Sequence, residues 1–471
     1  MLDVSAKPRW QARVRDTLHH WQRLLLRFLA GLRYKLQGIS PSDLLRRPRI
    51  VARLRDQTDR NIWYLYVEVF WAGIFMAAIA FNATYALRLG ATNTMIGWLS
   101  SIPPLLAIAV LVPAARFLET QSNRAPWLSG ALYIGRAAFI GAALAPWIVR
   151  GHAAEAVIAV LILRSIPMNV YSAGFEPLLA DVVPLRDRAL VVSNRNIIQG
   201  VTVAACTFLF GKWLDIAADL PWAAFPTNYQ ILYIVGTIAG VLSAYYVAKI
   251  EVPETPVVTR KRAKRKALPK LGAIRAALRA ATRENRDFVL MLTNTFVFNF
   301  GAWLLGPLYI IFFVNQLRAT DGWVGLNTTL AQVGVIFGYI LWRRVMDRRG
   351  ISWTLRFTVP LSATYAFLVA LFPNLNLILI WGILINLVNS GLNLSHGTAL
   401  YLLCPAERRA SYMAIFSTIS NIGAFVAPMI GVALSATIDI RWILVAGGTI
   451  RLLGAGLFYL LPIRVPEAGL A

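Results

Sequence analysis

Long apolar segments alternate with short polar ones along most of this chain. A helix that crosses a bilayer needs about 20 mostly apolar residues, and from residue 62 onward twelve runs meet that length. The runs cover residues 62–87, 95–118, 127–149, 154–181, 193–215, 227–249, 288–316, 324–342, 353–372, 377–403, 411–436 and 442–462. The pattern predicts an all-α membrane protein with twelve transmembrane helices, called spans 1 to 12 here.

Composition agrees with a membrane protein. Of the 471 residues 58% are hydrophobic and 15% are charged, whereas soluble domains are about a quarter charged. This composition excludes a disordered chain and a soluble nucleic-acid-binding domain. The segment before span 1 lacks an isolated apolar core followed by small residues, so no secretory signal is expected.

Basic residues are concentrated in two segments. Residues 1–60 and 251–287 together hold 25 of the 47 Lys and Arg residues, and both segments lie on the same side if twelve spans alternate in direction. Basic segments stay in the cytoplasm. The sequence therefore predicts a multi-pass protein of the plasma or inner membrane with cytoplasmic N- and C-termini, and this topology accounts for the basic runs without nucleic acid.

Five regions follow from this topology. They are a basic cytoplasmic extension (1–60), a first six-helix half (61–250), a basic cytoplasmic linker (251–287), a second six-helix half (288–463) and a cytoplasmic tail (464–471). Apolar residues recur at helical spacing over residues 9–36, with basic residues between them. This pattern predicts an amphipathic helix on the anionic inner leaflet. The alternative is a solvated basic helix packed on the bundle.

The two halves contain related segments in the same order. Residues 91–97 align with 319–325, and Arg116–Glu119 aligns with Arg344–Asp347, both at an offset of 228. Residues 184–189 resemble 405–410 at an offset of 221. Three matches in one order indicate an internal repeat of six helices. Parallel repeats of this kind are a transporter architecture with the substrate site between the halves.

On these features the chain resembles the major facilitator superfamily (MFS) over about residues 60–465. The superfamily's signature after the second helix of each half reads approximately Gly-x-Leu-x-Asp-Arg-x-Gly-Arg-Arg. Residues 343–350 keep its Asp347, Arg348 and Gly350, but have Arg at the first Gly. Residues 115–124 are more degenerate, with Glu119 at the Asp position. The resemblance implies the MFS fold and a monomer, and leaves the subfamily unresolved.

The resemblance also implies a cytoplasmic gate. In the superfamily the acidic residue of the signature meets a helix N-terminus and basic neighbours across the gate, an interaction that the helix dipole favours. The corresponding gating candidates are Arg116, Glu119, Arg344, Asp347, Arg348 and Gly350. The alternative is a set of solvated loop charges, because exposed ion pairs contribute only about 0–1 kcal/mol.

Polar residues inside the apolar runs are candidates for a binding site, because ionisable groups at membrane depth are costly. The superfamily lines its cavity with spans 1, 4, 7 and 10, and the richest polar groups of this chain fall on these four. On span 10, Asn386, Asn389, Asn393 and His396 share one helical face. The predicted substrate-binding residues are Glu68, Arg164, Asn299, Asn386, Asn389 and Asn393.

Each of these residues has a structural alternative. Asparagines also join helices in bilayers, and Glu68 and Arg164 could form a buried ion pair. Amides suit a neutral or zwitterionic ligand, whereas Arg164 favours a carboxylate or phosphate. Glu68 and His396 are the candidates for proton coupling. Arg136 and Arg451 are assigned to snorkelling or to pairing within a half.

The sequence thus predicts a secondary active transporter of a small organic solute that works by alternating access, with proton coupling, uptake and efflux all open. It carries no ATP-binding loop, zinc-protease motif or serine elbow, so neither an enzyme nor a cofactor or metal is expected. The alternative is a non-transporting MFS-like membrane scaffold or pigment/complex assembly factor, which the degenerate first-half signature keeps open.

Overall fold

The apolar runs fold as helices of membrane-spanning length, as the sequence predicts. The computed structural model describes residues 57–121, 123–149, 151–252, 285–405 and 408–465. The predicted amphipathic helix at 9–36, most of the basic linker and the last six residues lie outside the described residues. The described part contains twelve helices that are long and apolar enough to cross a membrane, which confirms the predicted fold class.

The observed spans differ from the predicted ones mainly at their ends. The first half consists of Gln57–Arg88, Asn93–Glu119, Ala125–Ile148, Ala153–Val182, Leu185–Ala218 and Thr227–Ala248. The second half consists of Arg286–Gln316, Asp321–Arg349, Ile351–Leu371, Leu375–Leu403, Ser411–Leu434 and Ile440–Leu460. The described residues from Asn61 onward pack as one compact unit.

Four spans are not single regular helices. Span 1 is divided into Gln57–Ile79 and Asn82–Arg88, span 3 into Ala125–Ala137 and Phe139–Ile148, span 4 into Ala153–Leu163 and Ser165–Val182, and the last turn of span 7, Phe312–Gln316, is a π-helix. The helix of span 11 begins two residues before the span, at Arg409. In span 4 the interruption falls at Arg164, one of the predicted site residues.

The internal repeat has a structural counterpart where spans 2 and 8 begin. The Thr92 hydroxyl accepts a hydrogen bond from the backbone N–H of Met95 at 3.3 Å, and the Thr320 hydroxyl accepts one from Trp323 at 3.1 Å. A side-chain oxygen at this position satisfies one of the free N–H groups of the first helical turn. The segments 91–97 and 319–325 therefore start equivalent helices in the two halves.

Candidate substrate cavity and its seal

The two halves are joined by polar contacts at one end of the bundle, called the sealed end here. Arg88, at the end of span 1, donates to the carbonyl oxygen of Ala319 at 3.0 Å and lies 3.3 Å from the carboxylate of Asp321. The carboxylate of Asp215, near the end of span 5, accepts from the backbone N–H of Gly322 at 2.8 Å. A residue of the first half thus caps a helix of the second, and its negative charge matches the positive end of that helix dipole.

Small residues bring spans 5 and 8 into backbone contact beside these polar groups. A Cβ atom at Gly325 would lie 2.5 Å from the carbonyl oxygen of Thr207 and 2.9 Å from the Cα of Gly211. The hydroxyls of Thr207 and Thr329 are 2.9 Å apart. The helix backbones can approach this closely only because both glycines lack side chains.

Spans 2 and 11 form the second contact of the sealed end. Asn93 donates to the Ser435 hydroxyl at 3.5 Å, and a Cβ at Gly97 would lie 3.2 Å from the Val432 side chain. Gly97 and Gly325 occupy equivalent positions of the repeated segment. The same segment therefore closes the sealed end in both halves.

The halves separate toward the opposite end, called the open end here. A Cβ at Gly200 would still meet Ile336 at 3.6 Å, but Ile197 and Ile340, farther along the same two helices, are each 40% exposed. Hydrogen bonds between the halves join residues 88–93 and 204–215 of the first half to residues 319–329 and 435 of the second. The described chain begins and ends at the open end, which the sequence predicts to be cytoplasmic.

The predicted gating residues lie at the open end. Glu119 and Asp347 are exposed, as are Arg344 and Arg348, whereas Arg116 is half-buried. Within the described part of the chain, none of these five side chains makes an ion pair in this conformation. Gly350 ends the helix of span 8 with φ of 81° and donates to Met346, a conformation that favours glycine. Their role in a gate stays a prediction.

Glu68 lies in a buried cluster inside the first half. Its carboxylate is 2.9 Å from the guanidinium of Arg195 on span 5 and 3.7 Å from that of Arg136 on span 3. The Ser243 hydroxyl of span 6 donates to it at 2.9 Å. Glu68 is 1% exposed, so this cluster joins four helices of one half.

Arg164 is separate from this carboxylate. Its guanidinium lies over the rings of Phe75 and Phe139, at 5.2 and 5.5 Å, and donates to the carbonyl oxygen of Gly135. The ion pair between Glu68 and Arg164, considered from the sequence, is therefore not formed. Instead Glu68 pairs with Arg136, which the sequence analysis set aside, and with Arg195, which it missed.

Arg195 was missed because the hydropathy pattern placed the start of span 5 too late in the sequence. The predicted fifth span begins at residue 193, which places Arg195 at its end, where an arginine is unremarkable. The observed helix begins at Leu185, so Arg195 lies ten residues inside it. A helix N-terminal signal at Pro184, followed by Asp187 in the first turn, marks the earlier start.

The asparagine face of span 10 is partly accessible. Asn386 and Asn389 are half-buried, and Asn393 is exposed, as is expected of side chains beside a water-filled gap. The Asn386 amide donates to Gly382 of its own helix at 2.9 Å. Asn299 on span 7 is also half-buried. Asn386 also packs against span 8, where a Cβ at Gly334 would lie 3.3 Å from that of Asn386. The binding role of these amides stays a prediction.

Two other polar residues of spans 7 and 10, His396 and Asn294, contact neighbouring helices. The His396 Nε2 atom and the Thr295 hydroxyl are 2.9 Å apart. Asn294 is buried and donates to the carbonyl oxygens of Leu457 and Leu461, both at 3.3 Å. These contacts fasten span 7 to spans 10 and 12 and favour a structural role for Asn294.

Two surface cavities lie at the sealed end, away from the predicted binding residues. One, of about 330 Å³, is lined by Asn93, Asn315 and Asp439, and the other, of about 500 Å³, by Arg88, Asp215 and Arg318 among others. Neither contains a residue of the asparagine face. A substrate site between the halves stays a prediction.

Two six-helix halves that are sealed at one end and separated at the other form the architecture of a secondary transporter. The family model of the Major Facilitator Superfamily matches residues 291–470, most of the second half. No curated protein sequence matches the chain. Solved structures of transporters share the fold over most of the chain, which confirms the predicted fold.

Three of these structures illustrate the fold. A bacterial homolog of the human lysosomal transporter Spinster, inward-facing and occupied, has a TM-score of 0.64 at 14% identity, over 87% of this chain and 99% of that one. The xylose transporter XylE from E. coli, in an inward-open conformation, has a TM-score of 0.61 at 12% identity, over 86% of this chain and 96% of that one. A POT family transporter in complex with a thioalcohol-conjugated peptide has a TM-score of 0.65 at 11% identity, over 87% of this chain and 97% of that one. At these identities the likeness shows the fold. With the family match, it supports a secondary transporter and not an enzyme.

Proposed function

We propose that this protein moves a small polar organic solute across a membrane by alternating access. The observation that carries the proposal is the asymmetric closure: polar and glycine contacts join spans 2, 5, 8 and 11 at one end, and the same helices separate toward the other. A solute enters the gap from the open end, which is cytoplasmic in the predicted topology of the inner membrane. Transport then requires the sealed end to open.

The proposed binding site lies between the halves. Asn386, Asn389 and Asn393 form its wall on span 10, and Asn299 extends it on span 7. Amides both donate and accept hydrogen bonds, so they suit hydroxyl, amide or carboxyl groups of the solute. Glu68 and Arg164 belong to the proposed site from the first half, Glu68 within the buried charged cluster and Arg164 apart from it, over the rings of Phe75 and Phe139.

Proton coupling belongs to the same proposal. Glu68 is the first candidate, because its protonation would release two guanidinium groups, on spans 3 and 5, and so change the packing of the first half. His396 is the second candidate through its contact with Thr295. We expect Glu68→Gln to abolish the dependence of flux on an imposed pH gradient, whereas the exposed Glu155→Gln variant keeps it.

A reversible cross-link at the sealed end tests alternating access directly. In a background with Cys206→Ser and Cys404→Ser, Thr207→Cys and Thr329→Cys place two thiols where the native hydroxyls are 2.9 Å apart. The two side chains are in direct contact, as a disulfide between neighbouring helices requires. The purified protein in liposomes is then assayed for uptake of labelled solutes, before and after oxidation.

We expect oxidation to stop flux, reduction to restore it, and each single-cysteine variant to be insensitive to both. Flux that continues through a fully formed cross-link would contradict alternating access. Absence of flux in the unmodified protein, together with co-purification of a partner, would favour the scaffold alternative.

A further inference from the structure

The middle of the membrane-spanning bundle carries an excess of positive charge. Within the described spans, five charged residues lie nine or more residues from both ends of their span: Glu68, Arg136, Arg164, Arg195 and Arg451. One carboxylate thus accompanies four guanidinium groups. Arginine cannot be deprotonated in proteins, so the surplus of three positive charges is permanent.

Neutral groups stabilise these arginines without cancelling their charge. Arg195 donates to the carbonyl oxygen of Leu65 at 2.8 Å, Arg136 to that of Gly240 at 3.2 Å, and Arg451 to the Ser362 hydroxyl at 2.7 Å. Each guanidinium also lies over an aromatic ring, at 4.7 Å from Phe175 for Arg195, 5.3 Å from Phe75 for Arg136 and 4.6 Å from Phe298 for Arg451. Carbonyl dipoles and ring faces lower the cost of burial, but the field of the charge remains.

Several hydrogen-bond donors of this region are unsatisfied. The Nε atoms of Arg136 and Arg451 and the amide nitrogen of Asn169 on span 4 are buried and have no partner in the described part of the chain. Buried donors without acceptors are costly. The Arg136 and Asn169 donors of the first half could therefore donate to further hydrogen-bond partners.

Three of the four arginines lie in the first half, packed among its own helices, whereas span 10 of the other half carries neutral amides. Positive charge buried on one side of a low-dielectric gap attracts ions of the opposite sign into it. A solute in it would direct its anionic group toward spans 3, 4 and 5 and its neutral polar groups toward span 10. The distribution of charge thus favours one orientation of the solute in the gap.

From this arrangement we infer that the transported solute carries a carboxylate or phosphate group. The inference rests on the proposed transport function and names the substrate class of the same site. Arg164 is the residue best suited to test it. It has no carboxylate partner within the described residues, so its replacement leaves no buried negative charge without a partner.

The test uses full-length protein in liposomes and probes that share a carbon skeleton and differ in the charge of their functional groups. Succinate, succinamide and 1,4-diaminobutane share a four-carbon skeleton, and glucose 6-phosphate is compared with glucose. Inorganic phosphate and chloride serve as anions without an organic part. Binding is measured by thermal stabilisation, and transport by uptake and by the electrical current of solid-supported membranes.

We expect an organic anion to bind about tenfold or more tightly than its neutral counterpart, and to be transported. Arg164→Gln lowers that preference at least about tenfold, whereas Arg164→Lys retains it. Arg441→Gln, which removes an exposed arginine at the start of span 12, leaves it unchanged. The unfolding temperature of each variant without ligand verifies that it is folded.

Three outcomes would overturn the inference. Equal or better transport of the neutral or cationic probe refutes the anionic class and leaves the transporter intact. Stabilisation by inorganic phosphate or chloride equal to that of the organic anions shows that the arginines hold a small counter-ion instead. Absence of binding and flux for every probe refutes the proposed transport function, and the inference with it.

Discussion

Gly325 sets the distance between spans 5 and 8 at the sealed end, and its replacement by alanine should open that end. The added Cβ would lie 2.5 Å from the carbonyl oxygen of Thr207, whereas ordinary contacts begin at 3.4 Å. The two backbones must therefore separate by about 0.9 Å, because neither neighbouring atom belongs to a side chain that can rotate away.

The expected size of the effect follows from overpacking. Insertion of a methyl group into a closely packed contact costs about 1–3 kcal/mol. A conformation in which the sealed end is open would not carry this cost. The equilibrium between the sealed and the opened conformation therefore shifts about 5- to 140-fold toward the opened one, at about 1.4 kcal/mol per factor of ten. Since alanine also favours helix over glycine by about 1 kcal/mol, a matched glycine is needed as a control.

Labelling of a buried cysteine measures this shift. Thr207→Cys in a background without the two native cysteines places a thiol inside the seal, where residue 207 is fully buried. We expect Gly325→Ala to raise its rate of reaction with a membrane-impermeant maleimide by the factor above. Gly306→Ala, on span 7, adds a Cβ with no atom within 4 Å and should leave the labelling rate unchanged. Equal labelling rates in the two folded variants would refute this account of the seal.

Three further predictions concern individual contacts. Asp215→Asn removes a charge from the end of span 8, which is worth about 0.3–1 kcal/mol, so it should raise the same labelling rate about two- to fivefold, while the exposed Asp219→Asn does not. Arg195→Gln leaves Glu68 with its more distant partner and should destabilise the protein by about 3–5 kcal/mol in thermal or denaturant unfolding, and adding Glu68→Gln should recover much of that loss. Asn294→Ala should lower the unfolding temperature through about 1–3 kcal/mol of lost buried hydrogen bonding without changing flux, and a loss of flux at normal stability would contradict its structural role.

Hydropathy was sufficient to predict twelve spans, since burial in lipid requires long apolar helices with satisfied backbone groups. It was less reliable at the ends. Span 5 extends to Leu185 through Arg186, Asp187 and Arg188. Its 34 residues are longer than the hydrocarbon core of a bilayer, so its charged end can lie outside the lipid. The error in that boundary explains why Arg195 was not recognised as a buried residue.

The partners of Glu68 could not be read from the sequence. Periodicity shows which face of a helix is polar, but the pairing of Glu68 with Arg195 and Arg136 depends on how spans 1, 3 and 5 are arranged in space. Arg164 was correctly singled out as unusual. The break in its helix, which turns its guanidinium toward two phenylalanine rings, has no signal in the hydropathy pattern. The substrate, gating and coupling roles of the predicted residues stay predictions.

The repeated segment that closes the sealed end has an evolutionary consequence. Duplication of a six-helix gene would supply both contacts of the closure at once, since each copy of the segment presses against a helix of the other half. The two copies are now under different constraints. Gly97 faces the side chain of Val432, which can adjust by a few tenths of an ångström, whereas Gly325 faces only backbone atoms. Selection should therefore retain glycine strictly at position 325 and accept alanine or serine more readily at position 97.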